Sequence, residues 1–249
     1  MSGHSKWSNI KQRKGVQDAK RSKIFTKLIK ELTVASKEGG VDPELNPRLR
    51  LALQNAKGAN MPKETIEKAI NKGQGGDAAN YQEVTYEGYA PYGISIFIEA
   101  TTDNINRTVS NIRAIFTKFG GNLGKNGSLE FLYDRKGVFT IPSKDMDQDE
   151  LTLELIDGGA EEVETEDDNF IVYTSFEDFG NMQKKLEEMN IEALSAEVER
   201  IAKNTTTLKL EEAIKVIKMI DAFEDDDDVQ KVFHNLELTE ELMNAIDAD

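Results

Sequence analysis

The segment AEEVETEDDNFIVYT, residues 160–174, decides the fold class of this chain. Its two halves have the residue pattern of strands, so we predict strands at Ala160–Glu166 and Asn169–Thr174. The segments on either side determine which kind of sheet these two strands join.

Each side of this hairpin carries one further helix and one further strand. Before it, Val138–Ile141 is predicted as a strand and Asp149–Ile156 as a helix. After it, Phe176–Met189 is predicted as a helix and Ala193–Ile201 as a strand. The order βαββαβ is that of the ferredoxin-like fold. We therefore predict a ferredoxin-like α/β domain over residues 136–205.

A second α/β domain flanks the first on both sides. Its predicted elements are strands at 83–88, 94–100, 128–134 and 229–236 and helices at 104–119 and 210–222. A single strand at the end of the chain needs a sheet to join, so we expect it to return to the sheet that begins at residue 83. This predicts a domain of residues 80–135 plus 206–249, with the ferredoxin-like domain inserted into it.

The first third of the chain is predicted to be a three-helix bundle, residues 1–76, which completes an α+β fold. The helices run from Asp18 to Glu38, from Pro47 behind the cap Asn46 to about Gly58, and from Pro62 to Gly73. In the first helix, apolar residues with helical spacing predict one buried face: Ile24, Phe25, Leu28, Ile29, Leu32 and Ala35. The opposite, solvent-facing side is predicted to carry Lys20, Lys23, Lys27, Lys30 and Lys37.

The charge of the chain is divided unevenly. Residues 1–75 contain 16 Lys and Arg against 7 Asp and Glu, a net charge of +9, whereas residues 76–249 contain 15 against 39, a net charge of −24. A split of this size within a chain of net charge −15 indicates an attached basic module that binds a polyanion. The alternative is that the lysines only solvate helix faces.

The basic segment supplies the candidate nucleic-acid-binding residues. Lysines and arginines neutralise phosphates, and the indole of Trp7 can stack on an unpaired base, although it can equally pack onto the bundle. For Arg48 and Arg50 the alternative is again a solvated helix face. The candidate residues are Lys6, Trp7, Lys11, Arg13, Lys14, Lys20, Arg21, Lys23, Lys27, Lys30, Arg48 and Arg50.

Catalytic, metal and cofactor sites find little support in the composition. The chain has no cysteine and two histidines, which leaves almost nothing for a zinc site or a Cys–His pair. We predict no enzyme activity, no metal and no cofactor. The run Asp225–Asp228 is interpreted as a solvated loop after a helix.

Three loops that resemble anion sites are interpreted in simpler ways. GQGGDA, residues 73–78, follows a helix, whereas the dinucleotide fingerprint follows a strand. GGNLGK, residues 120–125, lacks the first glycine and the final Ser or Thr of a phosphate loop, and we expect a flexible loop there. In Thr101–Thr108 we expect ordinary helix capping by Asp103 rather than a bound anion.

We expect a cytoplasmic protein without a membrane partner. No stretch approaches the roughly 18 apolar residues that span a bilayer. The N-terminus MSGHSKW is polar and lacks the apolar segment of a secretory signal.

The sequence as a whole resembles the YebC/PmpR family. The resemblance is most specific in GHSKW at 3–7, QDAKR at 17–21, KIFTKLIK at 23–30, NPRLRL at 46–51, ANMPK at 59–63, YEGY at 86–89, NRT at 106–108 and GGNLG at 120–124. The resemblance implies three domains and a non-enzymatic regulator, either a DNA-binding transcriptional regulator or a ribosome-associated factor that assists translation of proline-rich stretches. The sequence departs from the family pattern at the turn Ala90–Gly93 and at Ile105. Both departures weaken the expectation that those loops contact a polyanion.

Residues and resemblance together lead to one principal hypothesis. We expect a nucleic-acid-binding regulator whose partner is DNA, ribosomal RNA or the ribosome. A small-molecule sensor is an alternative that rests on fold analogy alone. An enzyme is a further alternative without a catalytic set. We identify no small-molecule substrate.

Overall fold

The computed structural model describes residues 17–75, 80–143, 147–166 and 168–247, and it confirms the mixed α+β class. The described residues form two compact units. Unit 1 comprises residues up to Lys27 together with 80–134 and 201–247, and unit 2 comprises 28–75 and 135–200. The predicted domain boundaries and the insertion of one domain into another stay predictions.

The N-terminal helices follow the predicted segments closely. They are α1 (Gln17–Gly39), α2 (Pro47–Gly58) and α3 (Lys63–Gln74). Asn46 caps α2 as predicted, because its side chain accepts a hydrogen bond from the Leu49 amide at 3.1 Å. Its amide group also donates to the carbonyls of Ala35 and Gly40, each at 2.8 Å. One buried side chain thus joins the end of α1 to the start of α2.

Polar side chains allow α1 and α3 to approach closely in unit 2. Thr33 and Ser36 are buried. The Ser36 hydroxyl donates to the Ile70 carbonyl at 2.9 Å, and the Thr33 hydroxyl lies 3.1 Å from the Ala69 carbonyl. Gly73 makes this approach possible, since a Cβ at that position would lie 1.8 Å from Ser36 Oγ.

The ferredoxin-like order of elements is confirmed. The elements are β4 (Tyr133–Pro142), α5 (Gln148–Ile156), β5 (Ala160–Glu166), β6 (Asn169–Ser175), α6 (Phe179–Glu188) and β7 (Ser195–Ala202). The strand order is β5-β6-β4-β7, and both helices bury apolar residues against the sheet. Helix α2 of the same unit binds the β7 segment, because the Asn55 side chain exchanges hydrogen bonds with both backbone groups of Ala196.

Unit 1 is built on a second four-stranded antiparallel sheet. Its elements are β1 (Gln82–Tyr89), β2 (Ser95–Thr102), α4 (Ile105–Lys118), β3 (Asn122–Leu123), α7 (Leu210–Glu224), β8 (Val229–His234) and α8 (Glu240–Asp247). The strand order is β3-β1-β2-β8, so the last strand does return to the sheet begun by β1. Phe116 of α4 and Phe223 of α7 are buried together, with ring centroids 4.8 Å apart.

Two predicted features differ from the structure, and one helix was not predicted. The predicted strand 128–134 is wrong over most of its length, because residues 130–132 form a short 3-10 helix and the strand begins only at Tyr133. The Glu87 carboxylate accepts the backbone amides of Gly127 and Leu129, which are therefore unavailable to a strand ladder. The loop predicted at 120–125 contains β3, and α8 was not predicted.

A pair of glycine substitutions tests the close approach of α1 and α3. We expect Gly73→Ala to lower the free energy of unfolding by about 1–3 kcal/mol, because the added methyl group overlaps Ser36 and the Thr33 carbonyl. Gly75→Ala is the matched control, since the nearest atom to an added Cβ, the Lys72 carbonyl oxygen, would lie 3.7 Å away. Urea unfolding followed by circular dichroism measures both, and equal stability of the two variants would contradict the packing described here.

Candidate nucleic-acid interface

The described part of the predicted interface lies on α1 and α2. Lys6, Trp7, Lys11, Arg13 and Lys14 lie outside the described residues. Lys20 and Arg21 are in the first turns of α1, and their side chains are outside the described part. The side chains that the structure does describe are those of Lys23, Lys27, Lys30, Arg48 and Arg50.

Two lysines of α1 contact oxygen atoms within unit 1. The amino group of Lys23 forms an ion pair with Asp225, and both side chains are well exposed, at 41% and 68%. The Lys27 amino group donates to the backbone carbonyl of Gln230 at 3.1 Å. The amino groups of Lys23 and Lys27 are therefore each next to an oxygen atom of the protein itself.

The expected solvent-facing lysine side of α1 is partly wrong. Lys30 is buried, with 7% of its surface exposed, whereas Ile24 of the predicted inner face is 43% exposed. Helical spacing places all of these lysines on one outer side, because it takes no account of the other elements that pack against α1. Lys30 as a nucleic-acid contact stays a prediction, and such a contact requires its side chain to leave a buried position.

The guanidinium of Arg48 is held by carboxylates of α1 in unit 2. Its Nε and Nη2 donate to the two oxygens of Glu31 at 2.8 and 3.0 Å, and its Nη1 donates to Glu38 at 2.8 Å. A planar guanidinium matches a carboxylate in this two-pronged arrangement. The alternative of a merely solvated face is therefore wrong for Arg48, while Arg50 is half-buried.

The acidic run Asp225–Asp228 forms a turn, and its interpretation as a solvated loop holds for the exposed Asp225 and Asp227 but is wrong for Asp228. Asp228 is 5% exposed, and its carboxylate accepts hydrogen bonds from the Arg107 guanidinium, the shortest at 2.7 Å. The Thr108 hydroxyl lies 2.9 Å from the same carboxylate. Asp226 accepts from the Asn111 side chain at 2.9 Å. Contacts with α4 thus decide which members of the run are buried.

The start of α4 also differs from the expected capping. Asn104, not Asp103, is the cap, and its side chain accepts the amide of Arg107 at 3.1 Å. Asp103 instead pairs with the Arg107 side chain at 2.8 Å. Hydrogen bonds to Asp228 and then to Asp103 raise the pKa of Arg107. The Arg107 guanidinium is therefore paired with carboxylates of the protein, although 46% of its side chain is exposed.

Sequence reasoning missed the network of Arg107, Thr102, Thr108 and Asp228. The signal in the sequence is weak, because the other three residues lie more than 100 positions from Asp228. In addition, residue type does not distinguish Asp228 from the three aspartates before it. Among the described residues, no group of three or more His, Asp and Glu side chains has the arrangement of a metal site. No described helix is long and apolar enough to cross a membrane.

Two family models match the chain. The model for the TACO1/YebC N-terminal domain matches residues 5–76, and the model for the TACO1/YebC second and third domain matches residues 81–236. Together they cover the helices of α1–α3 and both sheets.

Curated relatives and a solved structure match over nearly the whole length. A probable transcriptional regulatory protein of Amoebophilus asiaticus is 55% identical over 95% of this chain and 98% of its own length. One from Persephonella marina is 47% identical over 99% and 100%. The crystal structure of a conserved hypothetical protein from Aquifex aeolicus has a TM-score of 0.82 at 43% identity, covering 92% of this chain and 95% of that chain. The chain belongs to the TACO1/YebC family.

Proposed function

We propose that this protein is a non-enzymatic, nucleic-acid-binding regulator of gene expression, and specifically a DNA-binding transcriptional regulator in the cytoplasm. The observation that carries the proposal is the concentration of positive charge in residues 1–75, +9 against −24 in the remainder. The names of the relatives, probable transcriptional regulatory proteins, support the regulatory role.

The proposed contact is an exchange of oxygen partners at the α1 lysines. The ion pair of Lys23 with Asp225 is exposed, and exposed ion pairs contribute at most about 1 kcal/mol. A phosphate of a polyanion can therefore displace Asp225 at small cost. The cost of displacing such a pair lowers the affinity for the polyanion to a modest value. The release of counterions from the nucleic acid makes that affinity strongly dependent on salt.

A second candidate is a ribosome-associated translation factor that contacts ribosomal RNA and relieves stalling on proline-rich stretches. The observation that favours it is the chemistry of α1, whose basic residues are mostly lysines. Lysines contact phosphates without reading base edges, whereas sequence-specific DNA readers use Asn, Gln and Arg pairs with bases. A structured RNA suits such a surface as well as duplex DNA does.

The first prediction concerns the two lysines. We expect Lys23→Gln with Lys27→Gln to weaken binding to every duplex sequence alike and to reduce the slope of log affinity against log salt by about two. Fluorescence anisotropy titrations at several salt concentrations measure both quantities. Lys215→Gln with Lys218→Gln is the control, because these exposed residues of α7 undergo the same charge change in the same unit. A slope equal to that of the unmodified protein would rule out phosphate contacts at Lys23 and Lys27.

The second prediction concerns Asp225, whose carboxylate forms the ion pair with Lys23. We expect Asp225→Asn to raise duplex affinity at low salt by up to about fivefold, since the loss of an exposed pair of about 1 kcal/mol frees the lysine. Glu211→Gln, an exposed acid of α7, is the matched control for net charge. If both variants bind the duplex equally well, general charge repulsion explains the effect. The hypothesis that Asp225 competes with a phosphate for Lys23 is then wrong.

A further inference from the structure

The outer side of α5 in unit 2 carries two large apolar side chains that are exposed. Leu153 is 69% exposed and Ile156 is 54% exposed. They lie three positions apart, so they are neighbours on the helix surface. Leu151 and Leu155 of the same helix are 4% and 0% exposed and belong to the core of the ferredoxin-like sheet. The core therefore takes its apolar contacts from Leu151 and Leu155, and Leu153 and Ile156 stay accessible to another molecule.

Two exposed aspartates border this apolar pair. Asp149 lies four positions before Leu153, and Asp157 lies four positions after it, with helical backbone angles (φ −63°, ψ −24°) directly beyond the end of α5. Residues four positions apart lie on the same side of a helix. Within the described part of the chain, neither aspartate forms an ion pair. Asp149, Leu153, Ile156 and Asp157 together are the α5 face, an apolar pair with a carboxylate at each end.

The chain around the α5 face is acidic. Residues 145–183 contain 14 Asp and Glu and not one Lys or Arg. The side chain of Gln148 joins the start of α5 to β5, because its amide group donates to the Val163 carbonyl at 2.8 Å and its oxygen accepts the Thr165 hydroxyl at 2.7 Å. Both elements that meet there therefore belong to the acidic stretch.

The cations of α6 do not reverse this charge. The side chain of Lys185 is 18% exposed, and its amino group pairs with Glu154 at 3.4 Å. Lys184 is exposed, but Glu187 and Glu188 of the same helix are exposed as well. Helix α6 therefore adds no net positive charge beside α5.

The charge of the α5 face decides which kind of molecule can bind to it. Carboxylates repel a nucleic acid, and a second copy that presented the same face would bring like charges together. A partner with both cations and apolar groups satisfies both parts of the face.

We propose that the α5 face binds a basic amphipathic helix of another protein. Apolar side chains of that helix pack against Leu153 and Ile156, and its Lys or Arg side chains pair with Asp149 and Asp157. This contact involves no nucleic acid, so the inference goes beyond the proposed function.

The short length of α5 limits the strength of this contact. Its nine residues span about 13 Å. The surface buried against a partner helix is thus at the low end for protein complexes, where association is transient. We expect a dissociation constant on the order of 10–100 μM, and we expect it to increase with salt concentration because the pairs of opposite charge are exposed.

The probe is an amphipathic helical peptide of about 18 residues, composed of Lys and Leu, that carries a fluorophore and is titrated with the full chain. We expect Leu153→Gln with Ile156→Gln to weaken binding about tenfold or more, because the leucines of the peptide lose their apolar partners. Glutamine is a good helix former, so circular dichroism should show an unchanged fold. Leu45→Gln is the matched control, because Leu45 in the loop between α1 and α2 of the same unit is 80% exposed. Its affinity for the peptide should stay unchanged.

A second pair of variants tests the charged part of the α5 face. We expect Asp149→Asn with Asp157→Asn to weaken peptide binding about three- to tenfold at low salt and to reduce its dependence on salt. Glu64→Gln with Glu67→Gln removes the same charge from exposed positions of α3 and should leave the affinity nearly unchanged.

Four results would each overturn the inference. Unchanged peptide affinity of Leu153→Gln with Ile156→Gln would mean that the peptide attaches to another acidic surface. An equal loss in Leu45→Gln would mean that any exposed leucine suffices. A dimer of the unmodified protein, seen by analytical ultracentrifugation and lost in the Leu153 and Ile156 variant, would assign the face to a second copy. Weaker binding of that variant to duplex DNA or single-stranded RNA would assign it to nucleic acid.

Discussion

The candidate interface depends on the hydrogen bonds that satisfy the buried carboxylate of Asp228. An ionised carboxyl group is costly to bury unless hydrogen bonds satisfy it, and Asp228 receives the Arg107 guanidinium with the Thr102 and Thr108 hydroxyls close by. Its carbonyl also accepts the Thr101 amide at 2.8 Å. These bonds join the end of β2, the start of α4 and the start of β8. The turn is thereby fixed, and Asp225 is held where it pairs with Lys23.

Because of pairing and burial, not every Lys and Arg of the sequence is available to an external phosphate. Arg107 and Arg48 are engaged by internal carboxylates, and Lys30 is buried. Lys23 is paired but exposed, so it exchanges partners readily. The cations that can meet a phosphate are therefore fewer than a count of lysines and arginines suggests. The proposed contact with nucleic acid is therefore expected to be of moderate strength.

The sequence predicted the helices and most strands because their apolar residues recur with clear periods. It failed where tertiary contacts override periodicity. Thr33 and Ser36 have the polarity of surface residues, yet they are buried because carbonyls of α3 accept their hydroxyls or lie beside them. The strand β3 is too short to have a period, and Glu87 withdraws two amides from the predicted strand at 128–134. Within Asp225–Asp228, four identical residues differ only through their partners. The contacts of residues 1–16 stay predictions, because those residues lie outside the described part.

The central claim is that this protein contacts nucleic acid directly in the cell. Ultraviolet irradiation of living cells, followed by denaturing purification of the protein and sequencing of the covalently attached nucleic acid, tests it most directly. We expect recovery that depends on irradiation and falls in the variant Lys23→Gln with Lys27→Gln. Recovered promoter DNA would favour the transcriptional role, and recovered ribosomal RNA the translational one. Recovery no greater than from cells that were not irradiated would contradict it.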